Sequence, residues 1–347
     1  MLTLRPFLLR SFVLVAALTA GGATADAQPA TETPTFRAGV DLVPLTAVVR
    51  DGRGRTLRGL QPQDFVVLER GRPRNIASFR AGDQGPVSLA ILMDTSGSMR
   101  VGRQLDAARA AVEHVLSWVD PSTDEIGLFS FDEALRLEVP FTKSAASVRD
   151  GVARLDGMGT TSLYDAIALT AKALDQRPSP RRAVIVITDG VDTSSTMTAA
   201  QVSGLASAID VPVYVIALLS PLDHPGTEYA VPSSIGSEVD THLANLCAWT
   251  GGDLMMASAP AHVSAAVRDL LTQLRHQYVL AFESSANPGW YDLEVRVRQK
   301  DAIVRARSGY FAGGARPAFP VRRGAQRPET PASQSSEPRR ITLATEK

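Results

Sequence analysis

A single cysteine, Cys247, is all the chain has, so no internal disulfide can form and the fold must be held by its packed core. Histidine is scarce as well. The five present show no His-Glu-x-x-His or paired spacing, which removes the common zinc-enzyme signature. Neither a Gly-x-x-x-x-Gly-Lys-Ser/Thr phosphate loop nor a Gly-x-Ser-x-Gly elbow occurs. Charge of one sign is missing too: 36 basic and 36 acidic residues give a formal net charge of zero. With no basic cluster interleaved with aromatics in the folded part, nucleic acid is excluded as an expected partner. Aromatics make up 6% of the chain. Trp118, Trp249 and Trp290 lie far apart without the spacing of a stacking platform, so core or half-buried packing is expected for each.

Long apolar runs are limited to the start. Arg5 and Arg10 precede an apolar stretch from Phe12 to Ala20, followed by Gly21-Gly22 and Ala25-Asp26-Ala27. This pattern predicts a secretory signal over residues 1–27, cleaved near Ala27, and hence an exported protein, periplasmic or secreted. Arg10 breaks the run well short of the roughly 20 residues a spanning helix needs, so no transmembrane segment is expected in the mature chain.

What the chain does have is alternation. From Val87 onward, short β-branched runs alternate with helical patterns, as in the strand Val87 to Met93 followed by Leu105, Ala108, Val112, Leu116 and Val119 at helical spacing. Further strands are expected at Ile126 to Phe131, Leu135 to Phe141, Ala183 to Ile187, Val211 to Leu218 and Asp253 to Met256. Helices are expected around Leu163 to Leu174, Thr198 to Ile209, Asp240 to Trp249 and Pro260 to Leu274. Strands that are apolar throughout predict a mostly parallel sheet covered on both faces, a doubly wound α/β fold. The flanks read differently. Residues 36–84 and 276–312 hold about six strand-like runs and no helix, too few on either side for a stable sandwich alone. The expectation is one small β-sandwich-like module built from both flanks, with the α/β domain, residues 85–275, inserted in it. Residues 28–35 read as a linker, and the Pro-, Ser- and Arg-rich residues 313–347 as a disordered tail.

The first strand of the alternation ends in Asp94-Thr95-Ser96-Gly97-Ser98. One carboxylate and two hydroxyls offer only oxygen donors, which suits Mg2+, Ca2+ or Mn2+. In a doubly wound sheet, loops at the carboxyl ends of the strands converge on one face. There Gly157-Met158-Gly159-Thr160-Thr161-Ser162 and Asp189 can join the first loop.

Asp-Thr-Ser-Gly-Ser at 94–98, Gly-Thr-Thr-Ser-Leu-Tyr-Asp-Ala at 159–166 and Ile-Thr-Asp-Gly at 187–190 together resemble the von Willebrand factor type A domain over roughly Val87 to Leu274. The resemblance implies a Rossmann-like fold and a metal-ion-dependent adhesion site. In that site Ser96 and Ser98 would bind the ion directly, Thr161 directly or through water, and Asp94 and Asp189 largely through water. Thr160 can replace Thr161 in the alignment. Phe36 to Val40, Leu60 to Phe65 and Arg305 to Phe311 further resemble the exported, acidobacterial von Willebrand factor A-related subfamily. The implied function is non-enzymatic, adhesion-type protein binding, with the cation completed by an Asp or Glu carboxylate from a protein partner.

Asp165 and Asp192 lie close to this shell in sequence and read either as second-sphere groups or as a helix N-terminal acid and a turn residue. The Pro/Gly/Ser-rich stretch from Ser220 to Glu238 leaves a strand on the same face. Ser220, Asp223, His224 and Glu228 are its candidate partner contacts, unless the stretch is a tolerated insertion. Two rival readings remain: a metal-dependent hydrolase or phosphoryl-transfer enzyme attacking with Ser96 or Ser98, and a metal-free envelope scaffold. The first lacks a base, because no motif places His114 or His224 near those hydroxyls.

Overall fold

The computed structural model describes residues 41–82, 85–190, 192–208, 210–218, 238–257, 260–284 and 287–312. The leader, linker and tail expectations lie outside these residues, as do Ser220, Asp223, His224 and Glu228. In chain order, the N-terminal flank carries β1 (Asp41–Arg50), β2 (Phe65–Glu69), β3 (Arg72–Arg74) and β4 (Ile76–Ala81). The central region follows as β5 (Val87–Asp94), α1 (Gln104–Trp118), β6 (Glu125–Phe131), β7 (Leu135–Thr142), α2 (Ala145–Ala153), α3 (Leu163–Asp175), β8 (Arg181–Thr188), α4 (Ala199–Ala208), β9 (Val213–Leu218), α5 (Glu238–Thr250), β10 (Leu254–Ala257) and α6 (Pro260–Arg275). The C-terminal flank adds β11 (Tyr278–Ser284), β12 (Gly289–Val297), β13 (Ile303–Ala306) and β14 (Gly309–Ala312).

The central sheet has the order β10-β9-β8-β5-β6-β7. All its pairings are parallel except β6 with β7, the expected hairpin at the edge. The inner stretches of β5, β8 and β9 are apolar on both faces because each feeds two cores, whereas the edge strand β7 alternates. Leu89, Ile91 and Met93 of β5 join Ala183, Ile185 and Ile187 of β8 on the face covered by α1 and α6. Ala90 and Leu92 join Val184 and Val186 on the face covered by α3, α4 and α5. At roughly 1.5–3 kcal/mol per fully buried aliphatic side chain, this two-sided burial is the main source of stability in a chain without disulfides.

Helix α2 was not anticipated by the hydrophobic pattern, because Ala145–Ala153 buries only Val148, Gly151 and Val152. Ser144 starts it by accepting a hydrogen bond from the Ser147 N–H at 3.2 Å. Gly151 is required by packing: a Cβ there would lie 2.5 Å from Val139 Cγ2 and 2.9 Å from Leu128 Cδ2. Helix α4 starts at the predicted capping box, with the Thr198 N–H donating to Gln201 Oε1 at 2.8 Å and the Gln201 N–H donating to Thr198 Oγ1 at 3.3 Å.

The flanks form two four-stranded antiparallel sheets, β13-β1-β11-β4 and β14-β12-β2-β3, each taking two strands from either side of the central region. The α/β unit is therefore inserted into one sandwich, whose core includes Leu45, Phe65, Val67, Tyr278, Leu280 and Phe282. Eight strands are present where the sequence suggested about six. The two extra are Arg72-Pro73-Arg74, which has no apolar alternation to read, and the four-residue β14.

Candidate metal centre

Strand order reverses at β5, since β6 lies on one side of it and β8 on the other. A crevice opens at such a switch point, beyond the carboxyl ends of the two strands. Asp94 is the last residue of β5 and Thr188 the last of β8, with Met93 paired to Ile187. That register places both side chains on the same face, and Thr188 Oγ1 donates to Asp94 Oδ2 at 2.6 Å. The other carboxylate oxygen, Oδ1, accepts the Ser96 N–H at 2.8 Å.

Asp94 is fully buried, and no ion pair reaches it among the described residues. Burial pushes its carboxyl from 3.8 up to about 6, the hydrogen bonds from Thr188 and Ser96 pull it back in part, and the charge of Asp189 adds to the rise. Two carboxylates thus share the crevice. A buried carboxylate facing a second one is the electrostatic situation a divalent cation relieves.

The hydroxyls fit the same group. Ser96 Oγ and Ser98 Oγ lie 3.0 Å apart, with Ser96 buried and Ser98 exposed. An oxygen octahedron with bonds of about 2.0–2.1 Å has edges of about 2.8–3.0 Å, so the pair already has the spacing of two neighbouring Mg2+ ligands. No group of three or more His, Cys, Asp or Glu side chains suited to a metal occurs among the described residues. A cation held here would therefore lean on neutral hydroxyls.

The second loop approaches through its backbone. The Gly97 N–H donates to the Gly159 carbonyl at 3.0 Å and the Met158 N–H to the Thr95 carbonyl at 2.8 Å. Gly159 makes the turn at φ 93°, a conformation that side chains disfavour. Thr161 follows it and is buried, whereas Thr160 is exposed with its hydroxyl 3.2 Å from Ser194 Oγ. Of the two threonines, Thr161 is the buried one. Its N–H donates to Thr193 Oγ1 at 2.9 Å, and its carbonyl accepts the N–H groups of Thr193 and Ser194 at 2.9 and 3.0 Å.

Asp165 and Asp192 knit these loops together. Asp192 Oδ1 accepts the Leu163 N–H at 2.8 Å, capping α3 from another segment, and the Ser195 hydroxyl at 2.5 Å. Asp165 accepts the Thr196 N–H at 3.0 Å and the Met197 N–H at 2.9 Å. Both carboxylates accept backbone N–H groups and hydroxyls from neighbouring segments of the loops. Thr188 and Thr193 are the site residues that motif reading passed over. The signal for Thr188 was its place directly before Asp189 at a strand end, while the partner of Thr193 lies 32 residues away in sequence.

Residues 89–192, which include all five candidate ligands, match the model of the von Willebrand factor type A domain. Among solved structures, the chain is similar to a von Willebrand factor type A protein from Catenulispora acidiphila, at 14% identity over 78% of this chain and 73% of that one, with a TM-score of 0.46. It is also similar to the conserved hypothetical protein BatB from Bacteroides thetaiotaomicron, at 18% identity over 54% and 98% of the two chains, TM-score 0.43. The vWF domain of the type V pili tip protein Mfa5 from Porphyromonas gingivalis is 12% identical over 55% and 95%, TM-score 0.42. Comparison with curated proteins gives no match.

Proposed function

We propose that this chain is an exported protein-binding module whose crevice holds a divalent cation and accepts a carboxylate from a protein partner. The observation that carries this reading is Asp94: a fully buried carboxylate beside a second one, adjoining two hydroxyls at ligand spacing. In this reading Ser96, Ser98 and Thr161 supply neutral oxygens, and Asp94 and Asp189 balance charge from behind water. Thr188 fixes the Asp94 carboxylate through its 2.6 Å hydrogen bond. A cation bound among mostly neutral ligands supplies a Lewis-acidic position for an anionic oxygen, such as the side chain of Asp or Glu. The likeness of the flanking motifs to the exported acidobacterial subfamily belongs to the same reading. Among the described residues no helix is long and apolar enough to cross a membrane.

The hydrolase reading finds less support in the geometry. Ser96 and Ser98 bond to each other through their hydroxyls, and no histidine bonds to either among the described residues. A serine nucleophile needs a base within reach.

Calorimetric titration of Mg2+ into the wild type and into Asp94→Ala tests the proposal. The expected result is saturable binding to the wild type that weakens by about a hundredfold or more in the variant, roughly 3 kcal/mol. Equal heats, or none from either protein, overturn this site assignment, and none from either favours the metal-free scaffold. Hydrolysis of a phosphate or ester substrate by the wild type, abolished in Ser96→Ala, favours the enzyme.

A further inference from the structure

A second concavity lies away from the metal centre and shares no residue with it. It is a pocket of about 470 Å3 between α4, the end of α5, β12 and Ser308, and both Trp249 and Trp290 line it. The structure thus brings together two tryptophans that are 41 residues apart in sequence (290 minus 249). Trp249 is 40% exposed and Trp290 is half-buried, so neither serves as ordinary core.

Trp290 is held through its indole and Trp249 through its backbone. The Trp290 indole N–H donates to Asp292 Oδ1 at 2.9 Å, and Arg70 donates to the Trp290 carbonyl at 2.7 Å. The Trp290 ring lies against the bare backbone of Gly309, where a Cβ would come within 2.2 Å of its Cζ2. On the opposite wall, the Trp249 carbonyl accepts the Ser308 N–H at 2.9 Å, the Ser308 hydroxyl at 3.2 Å and the Ser207 hydroxyl at 3.0 Å. The pocket floor includes Gly204 in α4, with nothing within 4 Å of where its Cβ would be. A glycine inside a helix costs about 1 kcal/mol relative to alanine, and here no packing contact requires it. Its effect is to keep the floor open.

The chemistry of the walls selects an occupant. Ser308 spends its proton on the Trp249 carbonyl and Trp290 spends its N–H on Asp292. The polar groups left for a ligand are therefore two acceptors, the second carboxylate oxygen of Asp292 and the lone pairs of Ser308, and one donor, the Trp249 indole N–H. A matching ligand has an apolar face to lie on an indole and an edge rich in hydroxyl donors. Pyranose rings have both, and the volume lies in the usual range for small-molecule pockets. A lone guanidinium or ammonium would leave most of the space empty. A polyproline segment offers only carbonyl acceptors: it could meet the Trp249 indole N–H but would bring no donor to the Asp292 carboxylate, which pyranose hydroxyls do. We infer that this pocket is a binding site for neutral saccharides with equatorial hydroxyls, stacked on Trp249 and Trp290 and hydrogen-bonded to Asp292.

The test is a titration of the full chain with cellotriose and with chitotriose, followed by tryptophan fluorescence and by calorimetry, with and without chelator. Saturable binding is expected for at least one saccharide, unchanged by chelator and by Asp94→Ala. Trp290→Ala and Gly204→Leu should each weaken it about tenfold or more. Gly204→Leu fills the floor with a better helix former, so it keeps the fold and decides the matter if Trp290→Ala unfolds. Binding of neither saccharide, undiminished binding by Gly204→Leu, or preferential binding of free arginine or a proline-rich peptide overturns the assignment.

Discussion

Asp94→Asn is expected to raise the melting temperature of the chelator-treated protein at about pH 7.5 while abolishing its divalent-cation binding. The two effects have one cause. Burial raises the Asp94 carboxyl from 3.8 to about 6, so the folded protein holds this proton more tightly than the unfolded chain does. The stabilising contribution of the group is fully present below 3.8. It is lost as the pH rises through about 6, where the folded state must carry a buried charge. A rise of about two units is on the order of 3 kcal/mol. Asparagine keeps an oxygen for the Ser96 N–H and can donate to the Thr188 hydroxyl, which is able to accept. It removes the buried charge, at the smaller cost of the acceptor that the Thr188 proton had in the carboxylate. Thermal unfolding in chelator should show the variant melting higher at about pH 7.5, with the gap about halved near pH 5 and closing only as the pH falls to about 4. Saturating Mg2+ should raise the melting temperature of the wild type only. A wild type equal in stability to the variant across this range would mean that Asp94 bears no such cost.

Arg307→Ala should cost about 3–5 kcal/mol, lowering the melting temperature by roughly 10 °C. Arg307 is 3% exposed, and its guanidinium donates to the carbonyls of Ser207 at the end of α4 and Pro44 in β1. It also pairs with Asp210 at 3.5 Å, whose carboxylate accepts the Thr46 hydroxyl at 3.3 Å. One side chain thus ties the inserted α/β unit to the sandwich. Its loss leaves a buried carboxylate and two carbonyls without their partner. Lysine is not expected to restore stability, because a single ammonium cannot reproduce the planar fork that reaches three acceptors. A combined Arg307→Ala, Asp210→Asn variant should recover part of the loss. Unchanged melting of Arg307→Ala would show that the two parts are joined by other contacts.

The α/β unit was legible in the sequence because its inner strands carry apolar runs that serve both faces. Leu89 to Met93 and Ala183 to Ile187 must feed two cores, and only a sheet covered on both faces gives them that. Asp94, Ser96, Ser98 and Asp189 stood out as candidates because they follow apolar runs that end abruptly, whereas Thr161 was a candidate only through the likeness of residues 159–166 to a family motif. Short elements were not. Arg72–Arg74 is a strand only because β2 lies beside it, and Ala145–Ala153 buries too few side chains for its period to stand out. Contacts between distant segments were also hidden. Nothing in the spacing of Asp192 shows that it caps α3, and nothing in the positions of Trp249 and Trp290 shows that they line one pocket. Those relations depend on where loops land after the sheets have formed.

Where a cation sits is measured directly by anomalous diffraction from a crystal of the full chain grown with Mn2+. One strong peak is expected in the crevice beyond β5 and β8, bonded to Ser96 Oγ and Ser98 Oγ at about 2.0–2.2 Å, with Asp94 within reach through one water. No peak there, or a peak bound elsewhere while the Ser96 and Ser98 hydroxyls still bond only to each other, would contradict this placement.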